Sequence, residues 1–67
     1  MNELHEKLRS IEGKYKMFDF NFDNNVLSYI GPDDYQKTYY LVNIVSDLEK
    51  LNLRFSIDDE DRLHVYC

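Results

Sequence analysis

The apolar residues at the start of this chain follow a helical period. They recur at spacings of four, three and four residues, which marks one face of a helix: Leu4, Leu8, Ile11 and Tyr15. Charged residues fill most of the positions between them, and Gly13 offers a C-terminal stop. The pattern predicts a short helix over residues 2–12.

The hydrophobic period then changes from helical to alternating. Phenylalanine alternates with Asp and Asn over residues 18–22, which is typical of a half-buried strand. Residues 24 and 25 are both asparagine, which tolerates the positive φ of a tight hairpin turn, and residues 26–30 form the return strand. A two-residue turn predicts these cross-strand pairs: Phe22 with Leu27, and Phe20 with Tyr29.

A second and longer helix is predicted after Gly31-Pro32, which ends the strand. Asp33 is the expected N-cap, with Gln36 three residues later as in a capping box, and the helix runs to about Leu51. Its apolar positions cover more than half of its circumference: Tyr40, Leu41, Val42, Ile44, Val45, Leu48 and Leu51. A helix lying on a sheet needs a narrower stripe, so we expect contact with the first helix or a second copy of the chain.

Two further alternating segments follow, over residues 53–57 and 63–67. A three-residue loop between them aligns their apolar sets and places Asp58 opposite Arg62 on the outer face. The predicted order is therefore α-β-β-α-β-β. We expect an α+β fold with a four-stranded antiparallel sheet and two helices packed on one face, as a single domain over residues 1–67.

Composition limits the possible functions. A chain of 67 residues with 43% hydrophobic residues and a net charge of −5 is a folded, acidic domain, and not a general binder of nucleic-acid backbones. The one cysteine, Cys67, excludes an intrachain disulfide, so we expect reinforcement by homodimerisation. The first residues lack the layout of a signal peptide, and no apolar run approaches bilayer length, which favours the cytoplasm.

Few residues of the chain are arranged as catalysis, phosphate binding or metal binding would require. Cys67 and His64 lie three residues apart and point to opposite faces of a strand, and His5 is expected to be exposed on the first helix. Two glycines are too few for a phosphate-binding loop. The acidic run at 58–61 does not match the spacing of a calcium loop, because its sixth position is Leu63. We therefore expect no enzymatic activity, no cofactor and no metal.

A partner-binding surface is the remaining expectation. Tyr, Met and Arg are enriched in protein interfaces, and the alternation gathers such residues on the outer face of the sheet. Tyr39 is the expected exposed contact on the long helix, and the acidic loop is either a solvated hairpin or a mimic of nucleic-acid phosphates. The candidate partner-binding residues are Met17, Tyr39, Arg54, His64, Tyr66, Asp58, Asp59, Glu60 and Asp61.

The sequence thus predicts a non-enzymatic interaction module that inhibits or regulates another protein. Its richness in Tyr, Asn, Lys and Ile indicates AT-rich coding, as in low-GC bacteria and their phages, so we expect a counter-defence or host-takeover factor. A nucleic-acid-processing enzyme is the candidate target, in a bacterial cytoplasm or an infected host cell. The alternative is a module that binds or sequesters a small ligand between subunits, in a site lined by Tyr, Arg and His.

Overall fold

The computed structural model describes residues 3–66 and contains two helices and one antiparallel sheet. The elements, in chain order, are α1 (Glu3–Glu12), β1 (Phe18–Asn21), β2 (Val26–Tyr29), α2 (Tyr35–Lys50), β3 (Arg54–Ile57) and β4 (Leu63–Tyr66). The four strands lie in the order β1-β2-β4-β3, which leaves β1 and β3 at the two edges. The predicted α+β fold is confirmed. The predicted helical start at residue 2 and strand position of Cys67 lie outside the described residues.

A single hydrophobic core lies on one face of the sheet, and both helices contribute to it. Its largest fully buried side chains come from both helices and from the two central strands: Leu8, Leu27, Ile44, Leu48 and Leu63. Leu27 pairs directly with Leu63 across β2 and β4, so the centre of the sheet lies under the helices. Neither helix within residues 3–66 has the length and apolar character needed to cross a membrane.

The first hairpin forms with a register two residues away from the predicted one. Phe20 pairs with Leu27 and Phe18 with Tyr29, and residues 22–25 form a four-residue loop. The side chain of Asn21 accepts a hydrogen bond from the Asp23 N–H at 2.9 Å, so the chain leaves the ladder earlier than a two-residue turn requires. The predicted pairs were wrong, but a shift of two residues keeps every side chain on its predicted face.

The N-cap of α2 is Asp34, and the prediction of Asp33 was wrong by one residue. Asp34 has extended backbone angles, φ −144° and ψ −161°, and its side chain accepts the Gln36 N–H at 2.8 Å. The Asp33 carboxylate is almost fully exposed, with one oxygen 3.9 Å from Lys37 Nζ. Asp34 can cap because its side chain reaches the second helical residue, whereas the capping-box spacing pointed to the residue before it.

The second hairpin matches its prediction. Ile57 pairs with Leu63 and Arg54 with Tyr66, and Asp58 donates its backbone N–H to the Arg62 carbonyl at 3.0 Å. Asp61 adopts a positive φ of 61°, which closes the loop. This register places the side chains of β3 and β4 on the predicted faces.

His5 is half-buried, contrary to the predicted exposure. Its Nε2 lies 2.9 Å from Asn25 Oδ1 in the first hairpin loop, and its ring meets the edge of Phe22 at 5.3 Å. Because the hairpin loop is four residues long, it reaches α1 and covers this side chain.

Candidate protein-binding surfaces

The outer face of the sheet is left open by the helices, which cover the opposite face. Arg54 and Tyr66 are exposed and paired across β3 and β4, and His64 is half-buried beside them. Val26 also lies on this face, opposite His64, but it is buried. The prediction that Arg54, His64 and Tyr66 share one face is therefore confirmed, and they lie on a single hairpin.

Asp58 organises the polar part of this outer face. Its Oδ2 accepts from His64 Nε2 at 2.8 Å and from Arg62 Nε at 2.9 Å. Its Oδ1 accepts the backbone N–H groups of Glu60 at 2.9 Å and Arg62 at 3.0 Å. These bonds, led by the one from His64, hold the pKa of the Asp58 carboxyl well below its usual range. Asp58 therefore fixes the loop and orients two basic side chains.

The other acidic residues of this loop divide into two groups. Asp61 pairs with Lys37 of α2 through a 3.0 Å contact. Asp59 and Glu60 are exposed, with Glu60 Oε2 3.9 Å from Arg62 Nη2. Of the four acidic residues in the loop, only Asp59 and Glu60 therefore extend their carboxylates into solvent. Asp58 and Asp61 stabilise the hairpin through contacts within the chain.

The remaining two predicted contact residues lie away from this hairpin. Met17 is half-buried just before β1, where its carbonyl accepts the Ile30 N–H at 2.7 Å. Tyr39 is exposed on α2, as expected, and its ring meets the edge of Tyr40 at 5.4 Å. The predicted contact residues therefore do not form one continuous site.

An apolar groove between α2 and the edge strand β3 was missed by the sequence reasoning. It is open to solvent and measures about 630 Å³. Its apolar wall is formed by Leu41, Val42, Val45 and Ile57, and Glu49 and Lys50 also line it. Val42 and Ile57 are 64% and 52% exposed. The breadth of the apolar positions on α2 was the available signal. Alternation alone places Ile57 on the core side of the sheet and does not show that it is exposed at the edge.

A smaller hollow of about 320 Å³ lies where the segment after α1 meets α2. The Tyr15 hydroxyl donates to Asp47, and Lys14 Nζ donates to the same oxygen at 2.9 Å. Burial, followed by the bond to Asp47, raises the pKa of the Tyr15 phenol, and the hydrogen bonds from Tyr15 and Lys14 lower the pKa of the Asp47 carboxyl. The Tyr15–Asp47 hydrogen bond joins residues 32 positions apart, so a local sequence pattern cannot predict it.

Within residues 3–66 no three or more His, Cys, Asp or Glu side chains gather as a metal site would require. Comparison of the chain with protein-family models, with curated proteins and with solved structures found no match in any of the three.

Proposed function

We propose that this chain is a non-enzymatic interaction module that inhibits or regulates another protein, and that it binds this partner with the outer face of the β3–β4 hairpin. The observation that carries the proposal is the Asp58 cluster, with His64 and Arg62 held within 2.9 Å of one carboxylate oxygen, beside exposed Arg54 and Tyr66.

Preorganisation is the physical argument for this surface. Binding costs conformational entropy for each long side chain that becomes fixed, and this cost falls when the side chain is already held in place. Arg62 and His64 are held by Asp58, and Tyr66 supplies a large rigid contact next to them. Tyr and Arg are also the residues most often found to dominate binding energy in protein interfaces.

The net charge of −5 favours a partner with a basic surface, because opposite charges speed association and exclude like-charged competitors. A nucleic-acid-processing enzyme has this character, which makes it the candidate target in a bacterium or phage-infected cell. Mimicry of phosphates by the loop would depend on Asp59 and Glu60, since Asp58 and Asp61 are paired within the chain.

A comparative capture experiment tests the proposal. Tyr66→Ser should abolish retention of the partner from bacterial lysate by the immobilised chain, whereas Tyr35→Ser, on an even more exposed tyrosine of α2, should leave it unchanged. The proposal is wrong if no protein is retained by the wild-type chain, or if the two variants lose the same proteins equally. Replacing Asp59 and Glu60 by Asn and Gln then tests mimicry, because unchanged inhibition of the target would reject it.

A small-ligand function is favoured by one feature, the hollow beside Asp47, which is lined by Lys14, Lys50 and Tyr39. Lys14 neutralises the Asp47 carboxylate in this lining, which leaves Lys50 to attract an anionic ligand. A nucleotide or other small anion that binds there should raise the melting temperature, because a ligand stabilises the state it binds. Lys50→Ala should remove that rise. No rise with any anion would argue against this second function.

A further inference from the structure

The edge strand β3 has a sequence that complements itself when two copies run antiparallel. Positions 54–58 read Arg-Phe-Ser-Ile-Asp. When the two Ser56 residues face each other across a two-fold axis, Arg54 of one copy faces Asp58 of the other, and Phe55 faces Ile57. We propose that a second copy of this chain pairs with β3 in this register and closes the groove between β3 and α2.

The backbone of β3 is set up for this pairing. Asp58 donates its N–H to Arg62 of β4, and hydrogen-bonded and non-bonded pairs alternate along an antiparallel ladder. Arg54 and Ser56 therefore direct their backbone groups toward β4, and Phe55 and Ile57 direct theirs toward the open edge. In the proposed register Phe55 lies opposite Ile57 of the second copy, so the outward N–H and C=O groups meet. A register shifted by one residue would not join them.

Charge and the extent of the strand together select this register from the registers that the backbone permits. Arg54 forms no ion pair within residues 3–66. Asp58 stands at the other end of the strand, where its side chain is 25% exposed and already accepts hydrogen bonds from Arg62 and His64. A shift of two residues one way would leave Arg54 opposite the uncharged Ser56, and a shift the other way would place it opposite Glu60, which lies in the hairpin loop beyond the end of β3. Charges on an edge usually prevent pairing, but here they attract in the self-paired arrangement.

The apolar groove lies on the core side of the same edge. A two-fold axis between the two β3 strands brings the two grooves face to face, so that Val42, Val45 and Ile57 of both copies lose contact with water. A standard interface buries about 800 Å² on each partner, roughly a sixth of the 4582 Å² surface of this chain. Both the edge strand and one side of α2 are needed to supply that area. A chain this short gains most from such reinforcement.

Dimerisation would also extend the outer face used in the proposed function, since Arg54 of the second copy would lie beside the Asp58 cluster. The inference itself does not depend on any partner protein, because self-association is measured on the purified chain alone.

Sedimentation of the purified chain over about 1 µM to 1 mM tests the inference. The mass should rise from the 8.1 kDa of one chain to twice that value and stop there. Val42→Asp should weaken association by about tenfold or more, because it places a carboxylate in the closed groove. Ile30→Asp is the matched control, since Ile30 is 63% exposed and Val42 is 64% exposed, and it should leave association unchanged.

A second pair of variants tests the contact between Arg54 and Asp58. Arg54→Glu should weaken the dimer by about tenfold, because the introduced carboxylate would face that of Asp58 in the second copy. Lys16→Glu makes the same change of charge on an exposed residue away from β3 and should have a much smaller effect. Both altered side chains are exposed in the single chain, and circular dichroism would verify that each variant folds. A chain that stays monomeric at every concentration, assembles beyond two copies, or responds equally to both members of either pair would overturn the inference.

Discussion

Replacing Leu63 by alanine should destabilise the chain several times more than replacing Ile57, its direct cross-strand neighbour. The two residues pair across β3 and β4 and point to the same face of the sheet. Leu63 is fully buried and also pairs with Leu27 of β2, whereas Ile57 at the edge is 52% exposed. Ile57 and Leu63 therefore lie on the same face of the sheet and in the same cross-strand pair, and the main difference between them is burial.

The expected magnitudes follow from this difference. Removing a fully buried leucine side chain costs about 2–5 kcal/mol, because the lost transfer energy is joined by the cost of the remaining cavity. Ile57 loses only about half of the 1.5–3 kcal/mol for a fully buried side chain, or about 1 kcal/mol. At about 0.05–0.15 kcal/mol per residue the whole chain has roughly 3–10 kcal/mol of stability, so Leu63→Ala should bring it near unfolding.

Urea unfolding followed by circular dichroism is the assay, at a concentration low enough to keep the chain monomeric. The midpoint should fall far more for Leu63→Ala than for Ile57→Ala, with similar dependence on urea for both. Equal losses, within about 0.5 kcal/mol, would refute the assignment of β4 to the centre and β3 to the edge.

Three further predictions concern the turns and caps. Asp34→Ala should cost about 1 kcal/mol in urea unfolding and Asp33→Ala almost nothing, and the reverse order would contradict the assigned cap. Gly31→Ala should destabilise by about 1–2 kcal/mol, since its Cβ would lie 2.6 Å from the Tyr29 hydroxyl; an unchanged melting temperature would show that the ring moves aside freely. Because the folded state lowers the pKa of Asp58, its stabilising contribution is complete above the unfolded pKa near 4 and is lost as the pH falls below it. Melting temperatures measured from pH 6 to pH 2 should therefore fall less steeply in Asp58→Asn than in the unaltered chain. Parallel curves would exclude the Asp58 carboxyl as the source of the acid sensitivity.

Local patterns carried most of the fold. Alternation in residues 53–66 determined both the register and the faces of the second hairpin, because a three-residue loop leaves only one alignment of the apolar positions. The first hairpin was less determined. Its loop contains three side chains that can close a turn, and the hydrogen bond to the Asn21 side chain favours the four-residue loop over a two-residue turn. The faces survived because strand side chains repeat every two residues.

The candidate site was only partly predictable. The shared face of Arg54, His64 and Tyr66 follows from alternation, but the central role of Asp58 requires the loop to bring four donors to one carboxylate. The groove could not be located because the exposure of Ile57 depends on strand order. Alternation places a residue on a face, and only the topology decides whether its strand lies at the centre or the edge.

Residue-resolved amide hydrogen exchange, measured by NMR at low and high protein concentration, tests the pairing of β3 most directly. If β3 pairs as proposed, the Phe55 and Ile57 amides should exchange more slowly as concentration rises, because both point to the edge that the second copy closes. The Phe20 amide, which points to the open edge of β1 by the same alternation, should exchange at one rate throughout. Phe55 and Ile57 amides that remain as fast as Phe20 at every concentration would contradict the proposed pairing.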